Sequence, residues 1–318
     1  MRIVLWLSVV VLCATPAYAT FAIAAIDPAN GDLGVAVASA AVAIGSRVSD
    51  GEVGLGVIAT IGNANYKRRG LELLRSGLSV QQVLDKLLAD DIFENGDNRQ
   101  VVIIDAKGNI AARVGPAAQA ASGVKRGPTY AVIGNGVLGV HVLDAIAMAF
   151  EKSSGELAER LYTALRAGAL AGGDRQPDTA TGILVLRKQH DNNDGYVSVR
   201  VDSHADPFHE LRRVLDLQLA RNYASSRAYL VQSGKLAEAF HAAEKAVEYE
   251  PAVAANYLHL GFLSYLAGQR DRALEAFAKA RQLTLNFKQT WDAALKNPDF
   301  AAYGTVREDQ TFANSVMN

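Results

Sequence analysis

The residue in this chain whose type and position are best suited to chemistry is Thr20. It directly follows Ala17-Tyr18-Ala19, and an apolar run from Ile3 to Leu12 with a basic start at Arg2 lies upstream. A charged start, an apolar core and small residues in an A-x-A pattern are the layout of a secretory signal peptide. Cleavage after Ala19 therefore predicts a mature chain that begins with Thr20.

A threonine at the start of a chain carries a free α-amine beside its own hydroxyl. The amine can take the hydroxyl proton, directly or through one water, and so make the oxygen a nucleophile. Because the reference pKa of an α-amine is about 7.7–8.0, part of it is unprotonated near neutral pH. Thr20 is therefore a candidate catalytic nucleophile, and the alternative is that threonine is simply the first residue of an exported protein.

Residues 1–19 are predicted to be removed and not to anchor the protein. The apolar run is shorter than the roughly 20 residues that span a bilayer. Leu12 stands before Cys13, where a lipoprotein signal needs a small residue. The sequence thus predicts export to the periplasm or the extracellular space, with no membrane anchor.

Composition excludes several classes of function. The 318 residues include 32 Lys and Arg against 33 Asp and Glu, so the chain has no excess of positive charge with which to bind nucleic acid. Cys13 is the single cysteine and lies in the predicted leader, so the mature chain has no disulfide, thiol nucleophile or thiolate ligand. No phosphate-binding glycine motif is present, and the histidines show no ligand spacing, which predicts neither a cofactor nor a metal. The histidines are His141, His190, His204, His209, His241 and His259.

The first predicted strand begins at Thr20 itself. The stretches 20–27 and 33–39 are β-prone or small and apolar, and the turn between them predicts a hairpin. Helical periodicity begins at Tyr66, with a break at Gly77 and a cap at Ser79. Strands, then helices, then strands again predict an α+β domain with antiparallel sheets. The remaining predicted strands are 54–60, 100–105, 110–114, 130–133, 182–186 and 196–201, and the remaining helices are 140–150, 157–167 and one from 206 through 219.

From about Leu217 the pattern changes to helices only. Residues recur 34 positions apart, a period that resembles tetratricopeptide repeats. The pairs are Tyr223 and Tyr257, Gly234 and Gly268, Ala239 and Ala273, and Ala246 and Ala280. We assign residues 218–300 to these repeats, with a last helix near 290–295 as a cap, and 301–318 to a C-terminal tail. Such repeats often bind a peptide or protein, and a stabilising or dimerising appendage is the alternative.

Residues 20–217 look like the family catalogued as domain of unknown function 1028, which belongs with the N-terminal nucleophile (Ntn) hydrolases. This resemblance implies a four-layer α-β-β-α sandwich with the nucleophile at the start of an inner strand. The matching stretches are Thr20-Phe-Ala-Ile-Ala, Gly31-Asp-Leu-Gly-Val-Ala-Val-Ala-Ser39, Gly70-Leu-Glu-Leu-Leu74, Gly134-Asn135, Ala171-Gly-Gly-Asp174, Val201-Asp-Ser-His-Ala-Asp-Pro207 and Glu210-Leu-Arg-Arg213.

The resemblance implies hydrolysis of an amide or related acyl bond, with the Thr20 hydroxyl as nucleophile and its α-amine as base. Asn135, between glycines, is the first candidate for stabilising the oxyanion, and Asn63 is the second. Ser39 ends the strand paired with that of Thr20 and is a candidate for orienting the amine. Asp174, after two glycines, is a candidate for stabilising an ammonium or binding substrate. For both asparagines and for Asp174 the alternative is a local turn.

The chain departs from the resemblance at three places near these candidates. Family members often carry Ser-Lys and bulky aromatics where this chain has Ser39-Ala40-Ala41, a glutamine at Ile61, and Asn-Pro at Asn63-Ala64. These changes remove a charge and make the expected pocket less polar. They favour a different substrate or a weaker activity.

Two functions from different classes follow. The first is a secreted hydrolase of a small-molecule or peptide amide, whose repeats recruit or position something. The second is a catalytically inactive scaffold that presents the repeats to a partner protein. The sequence leaves the formation of homo-oligomers open.

Overall fold

The computed structural model describes residues 19–91, 96–188 and 195–317. The chain divides into two compact units, Met1–Gly195 with Arg200–Pro207, and Tyr196–Val199 with Phe208–Asn318. Apart from Ala19, the predicted leader lies outside the described residues, as does His190.

Within the described residues, two sheets with antiparallel pairing form the centre of the first unit. Their orders are β10-β9-β2-β1-β8-β7 and β3-β4-β5-β6. The strands are β1 (Thr20–Ile26), β2 (Leu33–Ser39), β3 (Ser49–Glu52), β4 (Gly56–Ile61), β5 (Gln100–Asp105), β6 (Ile110–Val114), β7 (Gly123–Arg126), β8 (Tyr130–Asn135), β9 (Ala180–Leu186) and β10 (Val197–Val201).

Strand β1 lies inside the larger sheet and is buried along its whole length. Its residues alternate between the two faces, as a pleated strand requires. Ala22 and Ala24 join a core shared with Val57 and Ile104 of the smaller sheet. Phe21 faces the other way and approaches Gly168, where an added Cβ would lie 3.2 Å from the Phe21 ring. The continuous apolar sequence of β1 therefore reflects burial on both faces.

Helices cover the outer faces of the two sheets. The outer face of the smaller sheet packs on α2 (Asn65–Arg75) and α3 (Val80–Ala89), and α5 (Leu157–Leu170) packs on β1 and β2 of the larger one. As predicted, the first helical stretch ends before Gly77, at φ 91°, and Ser79 caps the next with a capping box. The helices of this unit are α1 (Ile44–Val48), α2 (Asn65–Arg75), α3 (Val80–Ala89), α4 (His141–Lys152) and α5 (Leu157–Leu170).

The second unit is helical apart from the residues of β10 that belong to it. Aromatic side chains form its core, with Phe262 stacked on Tyr303 at 4.5 Å and tilted against Trp291 at 4.7 Å. The last two helices lie within residues 301–318, which were predicted only as a tail. The helices are α6 (Pro207–Gln232), α7 (Leu236–Tyr249), α8 (Ala254–Leu266), α9 (Arg270–Leu283), α10 (Phe287–Lys296), α11 (Gly304–Glu308) and α12 (Gln310–Met317).

The prediction of a mixed fold with antiparallel sheets and a C-terminal helical region is confirmed. Strand β3, strand β7 and helix α1 were not predicted, since each is only four or five residues long. Among the described residues, no helix combines the length and hydropathy needed to cross a membrane.

Candidate active site

A cleft of about 600 Å³ lies at the amino end of β1, within the first unit. Thr20 and Asn135 line it together with small apolar residues and several amide side chains. The lining also includes two arginines, and no aspartate or glutamate lines it within the described residues. The lining residues are Thr20, Ala41, Ile44, Arg47, Val48, Thr60, Ile61, Gly62, Asn63, Ala64, Asn98, Arg99, Gln100, Ala117, Ala118, Gln119 and Asn135.

The sheet register brings Thr20 together with two of its predicted partners. Thr20 lies opposite Ser39 on β2 and opposite Asn135 on β8. In an antiparallel sheet, directly opposed residues have Cβ atoms about 4.5–5.5 Å apart. Residues separated by 19 and 115 positions in the chain are therefore neighbours because three strands pair in this order.

The hydroxyls of Thr20 and Ser39 form a compact hydrogen-bonded group. Their oxygen atoms are 2.9 Å apart, and each lies 2.7 Å from the carbonyl oxygen of Ala19. The Ala41 backbone N–H donates to Ser39 Oγ at 3.0 Å. Both side chains are buried. The Thr20 oxygen is thus held against a carbonyl and a second hydroxyl.

Asn135 presents a donor to the cleft. Its Oδ1 accepts the Gln119 backbone N–H at 2.8 Å. Because an N–H can only donate, this bond identifies the carbonyl end of the amide. The Nδ2 group has no acceptor among the residues that the structure describes. Asn135 therefore has the donor that a developing oxyanion requires.

Asn63 also lines the cleft, but its side chain is engaged in its own loop. Its Oδ1 accepts the Asn65 backbone N–H at 3.1 Å, and its carbonyl accepts the Thr60 hydroxyl at 3.2 Å. This is the local turn given above as the alternative. Asn63 follows the end of β4 in the smaller sheet, whereas Asn135 is the last residue of β8 in the larger sheet.

Asp174 is not among the lining residues of the cleft. It bridges Val137, two residues beyond Asn135, and is 6% exposed. Neither of its oxygens has a hydrogen-bond partner within the described residues. Burial and the adjacent Asp178 carboxylate raise the pKa of Asp174 well above the ordinary range. We interpret the two carboxyl groups as sharing one proton, which supplies the donor that this pair lacks.

The long polar side chains of the lining were missed by the sequence reasoning, namely Arg47, Arg99, Gln100 and Gln119. None of them lies in a recognisable motif, and they come from α1, β5 and two loops. Only the pairing of β5 with β4 and the packing of the loops bring them to one cleft. Their amino-acid types alone carried no signal.

Arg99 is held firmly at the cleft wall. Its Nε donates to Asp91 Oδ2 at 2.6 Å and its Nη1 donates to the Gly62 carbonyl at 2.8 Å. Tyr66 also donates to Asp91, at 2.7 Å. The hydrogen bond to Asp91 raises the pKa of Arg99, and burial with the same carboxylate raises that of Tyr66. Asp91 therefore already neutralises Arg99.

Metal binding has no candidate in the described part of the chain. No group of three or more His, Cys, Asp or Glu side chains there has a geometry that could hold an ion. The side chains that line the cleft offer hydroxyl, amide and guanidinium groups.

Comparison with known proteins identifies the family. Residues 20–211 match DUF1028, a family of unknown function, and the chain belongs to this family. The crystal structure of protein SPO2555 from Silicibacter pomeroyi, also described as DUF1028, is similar at 27% identity and a TM-score of 0.56. That match covers 62% of this chain and 88% of the other. A comparison with curated proteins gives no significant match.

Proposed function

We propose that this protein is an exported Ntn-type hydrolase of an amide or related acyl bond, with Thr20 as the nucleophile after removal of residues 1–19. One observation carries the proposal. Thr20 begins a central strand in a cleft, with a second hydroxyl 2.9 Å from its own and an asparagine opposite it. A nucleophile on a rigid strand, with partners on both neighbouring strands, suits acyl transfer.

The chemistry uses groups of this chain at each step. The unprotonated α-amine of Thr20 takes the hydroxyl proton as Oγ1 attacks the substrate carbonyl. The Asn135 Nδ2 group donates to the resulting oxyanion. The tetrahedral intermediate collapses, the carbon–nitrogen bond breaks, and the α-ammonium returns the proton to the leaving amine. Water, deprotonated by the same amine, then attacks the ester on Thr20, the bond to Oγ1 breaks, and the α-ammonium returns its proton to Oγ1 as the acid leaves.

The leader has a direct chemical effect in this proposal. While residue 19 is attached, the Thr20 nitrogen is an amide and cannot act as a base. The Ala19 carbonyl oxygen also accepts from the hydroxyls of Thr20 and Ser39, at 2.7 Å each. Cleavage after Ala19 frees the amine and removes that acceptor. Signal peptidase does this, and no self-cleavage is needed.

The layered packing supports the same proposal. The inner faces of the two sheets share one core, and helices cover the outer faces. We assign this arrangement to the four-layer α-β-β-α sandwich of the Ntn hydrolases. The assignment agrees with the place of Thr20 at the start of an inner strand.

The helical unit supports a separate proposal of tetratricopeptide-like repeats. The bounds of α7 and α9 differ by 34 residues at both ends. Gly234 and Gly268 precede these helices at φ 70° and 76°, the left-handed region that favours glycine. The repeated geometry favours a role in binding a protein or peptide, either for a hydrolase or in a scaffold without catalysis.

Labelling with a β-lactone tests the hydrolase. The chain that begins with Thr20 is expected to add one acyl group at Thr20, located by mass mapping. Thr20→Ala, and a chain that keeps a blocked Ala19, are expected to remain unlabelled. Thr60→Ala is the matched control, because it removes another buried hydroxyl of the same cleft. Labelling elsewhere, or none with the free amine, would favour the scaffold.

A further inference from the structure

We infer that the substrate of this cleft carries a free carboxylate beside a hydrogen-bond donor, and that Arg47 and Gln100 bind these two groups. The inference rests on the proposed hydrolase function and names its substrate class. That class is a small amide with a carboxylate close to the scissile bond, such as an N-acyl amino acid.

The charge of the cleft lining is the first observation. It contains Arg47 and Arg99 and no carboxylate within the described residues. Asp91 already pairs with Arg99. Arg47 lies in the last turn of α1, is exposed, and has no acidic partner in the described chain. An unpaired guanidinium at the wall of a cleft attracts an anion and matches the planar fork of a carboxylate.

Lys67, a second cation near Arg47, has an acidic neighbour of its own in Asp50. Lys67 donates to the carbonyl of Ser46, the residue before Arg47. Burial lowers the pKa of Lys67, and Asp50 opposes that effect. Neither Lys67 nor Asp50 lines the cleft, so the guanidinium of Arg47 remains for a ligand.

An unpaired buried acceptor is the second observation, and it is independent of charge. Gln100 is 2% exposed, and its Nε2 donates to the Asn98 carbonyl at 3.0 Å. A carbonyl can only accept, so this bond fixes the orientation of the amide. Oε1 is left buried without a donor among the described residues. Such a group carries a desolvation penalty, which a donor on the ligand would remove.

The size of the cleft limits the ligand that satisfies both groups. Its volume, about 600 Å³, falls within the roughly 300–1,000 Å³ of small-molecule sites. Ala41, Ile44, Val48 and Ile61 give it an apolar wall. A compact molecule with an apolar portion, an N–H group and a carboxylate therefore fits the lining.

Paired ligands that differ in one charge test the inference. Thr20→Ala, which cannot turn over, is titrated with N-acetylglycine and with N-acetylglycinamide, and binding is followed by ligand-observed NMR. We expect N-acetylglycine to bind about ten-fold more tightly, as a charge-assisted contact of about 1.4 kcal/mol provides. When Arg47→Gln is added to Thr20→Ala, the ratio of the two dissociation constants should fall close to one. Adding Arg68→Gln, an exposed arginine of α2 outside the cleft, should leave it unchanged.

The contribution of Gln100 is measured in the same titrations. Gln100→Leu is expected to weaken both ligands by a similar factor, several-fold, while the ratio between them persists. Circular dichroism checks that this buried variant folds. Equal binding of the two ligands, or a preference that survives Arg47→Gln, would overturn the inference. Displacement by inorganic phosphate as strong as by N-acetylglycine would do so too, because it would indicate binding of any anion.

These readouts separate the two proposals. The titration requires no nucleophile, so it reports on the ligand class even if Thr20 is never acylated. Conversely, β-lactone labelling at Thr20 together with equal binding of the two ligands would support the hydrolase proposal and overturn the proposal of a carboxylate-bearing substrate.

Discussion

The hydroxyl pair of Thr20 and Ser39 sets the chemistry available at the residue scale. Two hydroxyl protons serve three close contacts: one between the two oxygens and one from each to the Ala19 carbonyl. In a chain that begins with Thr20 that carbonyl is gone. We expect Ser39 Oγ to bond to the Thr20 amine instead and to orient it toward the hydroxyl proton.

Asn135 and Asn63 are distinguished by one pair of substitutions. Asn135→Asp keeps the acceptor that binds the Gln119 N–H and removes the Nδ2 donor. We expect it to slow β-lactone acylation of Thr20 by about 10²–10³, as loss of one oxyanion donor does. Mass spectrometry of samples quenched at successive times gives the rate of acylation.

Asn63→Ala is the comparison for this experiment. It removes an amide from the same cleft, but one whose oxygen serves its own loop. We expect a change of less than about ten-fold. A larger loss from Asn63→Ala than from Asn135→Asp would transfer the oxyanion role to Asn63.

Asp174 makes stability depend on pH. Its pKa is raised in the folded state, so the folded protein binds a proton that the unfolded chain has released above about pH 4. Stability contributed here is therefore lost as pH rises from that range toward the raised pKa. Asp174→Asn keeps the size and removes the titration, so we expect a gain of about 1 kcal/mol or more at pH 8 and almost none at pH 4.

Urea denaturation at pH 4, 6 and 8 measures this difference. Asp85→Asn, on the exposed face of α3, is the control and should follow the parent protein at each pH. A loss of stability in Asp174→Asn that grows with pH would contradict the shared-proton interpretation.

At the scale of elements, the cleft depends on a close approach between two loops. Gly115 follows β6 and begins the loop that supplies Ala117, Ala118 and Gln119 to the lining. Its N–H donates to the Arg99 carbonyl at 2.9 Å. A Cβ at Gly115 would lie 2.0 Å from the carbonyl oxygen of Asp97. Only glycine permits this backbone contact, so the loop that fixes Asn135 depends on it.

Gly115→Ala is expected to force these loops apart. The clash is with backbone, which cannot rotate away, so we expect a loss of about 1–3 kcal/mol in unfolding free energy. Because Gln119 moves with the loop, labelling of Thr20 should also slow. Thermal denaturation and the β-lactone assay provide the two readouts.

Gly304→Ala is the matched control for this prediction. Gly304 begins α11 at φ −54°, and an added Cβ there meets nothing within 4 Å. We expect no loss of stability and unchanged labelling. If Gly115→Ala behaved in the same way, the two loops would not be held by this contact.

At the scale of the whole molecule, the two units respond differently to acid. In the helical unit, His259 lies 3.1 Å from the Tyr303 hydroxyl and packs against Phe300. Burial and the nearby Arg227 lower the pKa of His259 to about 3. The unfolded chain therefore binds a proton below about pH 6.5 that the folded unit does not. Stability of this unit falls as pH decreases from 6.5.

His259→Gln is expected to flatten this dependence. The parent protein should lose about 2 kcal/mol between pH 7 and pH 5 from this group, following 1.36 kcal/mol per pKa unit, and the variant should not. Hydrogen exchange of the α8 amides reports on the helical unit by itself. His241→Gln, an exposed histidine of α7, should behave like the parent protein. Equal acid sensitivity of the parent and His259→Gln would refute the prediction.

Several features of this protein follow from local sequence. The strand at Thr20, the break at Gly77, the capping box at Ser79 and the hairpin of β5 and β6 were predicted, because turn chemistry and residue periodicity act within a few positions. The change to helices beyond residue 217 is of the same kind. Family membership was also predicted from stretches of the chain and is confirmed.

Tertiary structure alone decided what surrounds Thr20. Ser39 and Asn135 lie opposite it because β1 pairs between β2 and β8, and register is set by packing and not by local propensity. The same packing brings Arg47 and Gln100 to the cleft and buries Asp174 beside Asp178, away from the lining. Sequence determined the candidate nucleophile and its strand, whereas contacts between distant segments determined the charge, donors and acceptors that a substrate meets.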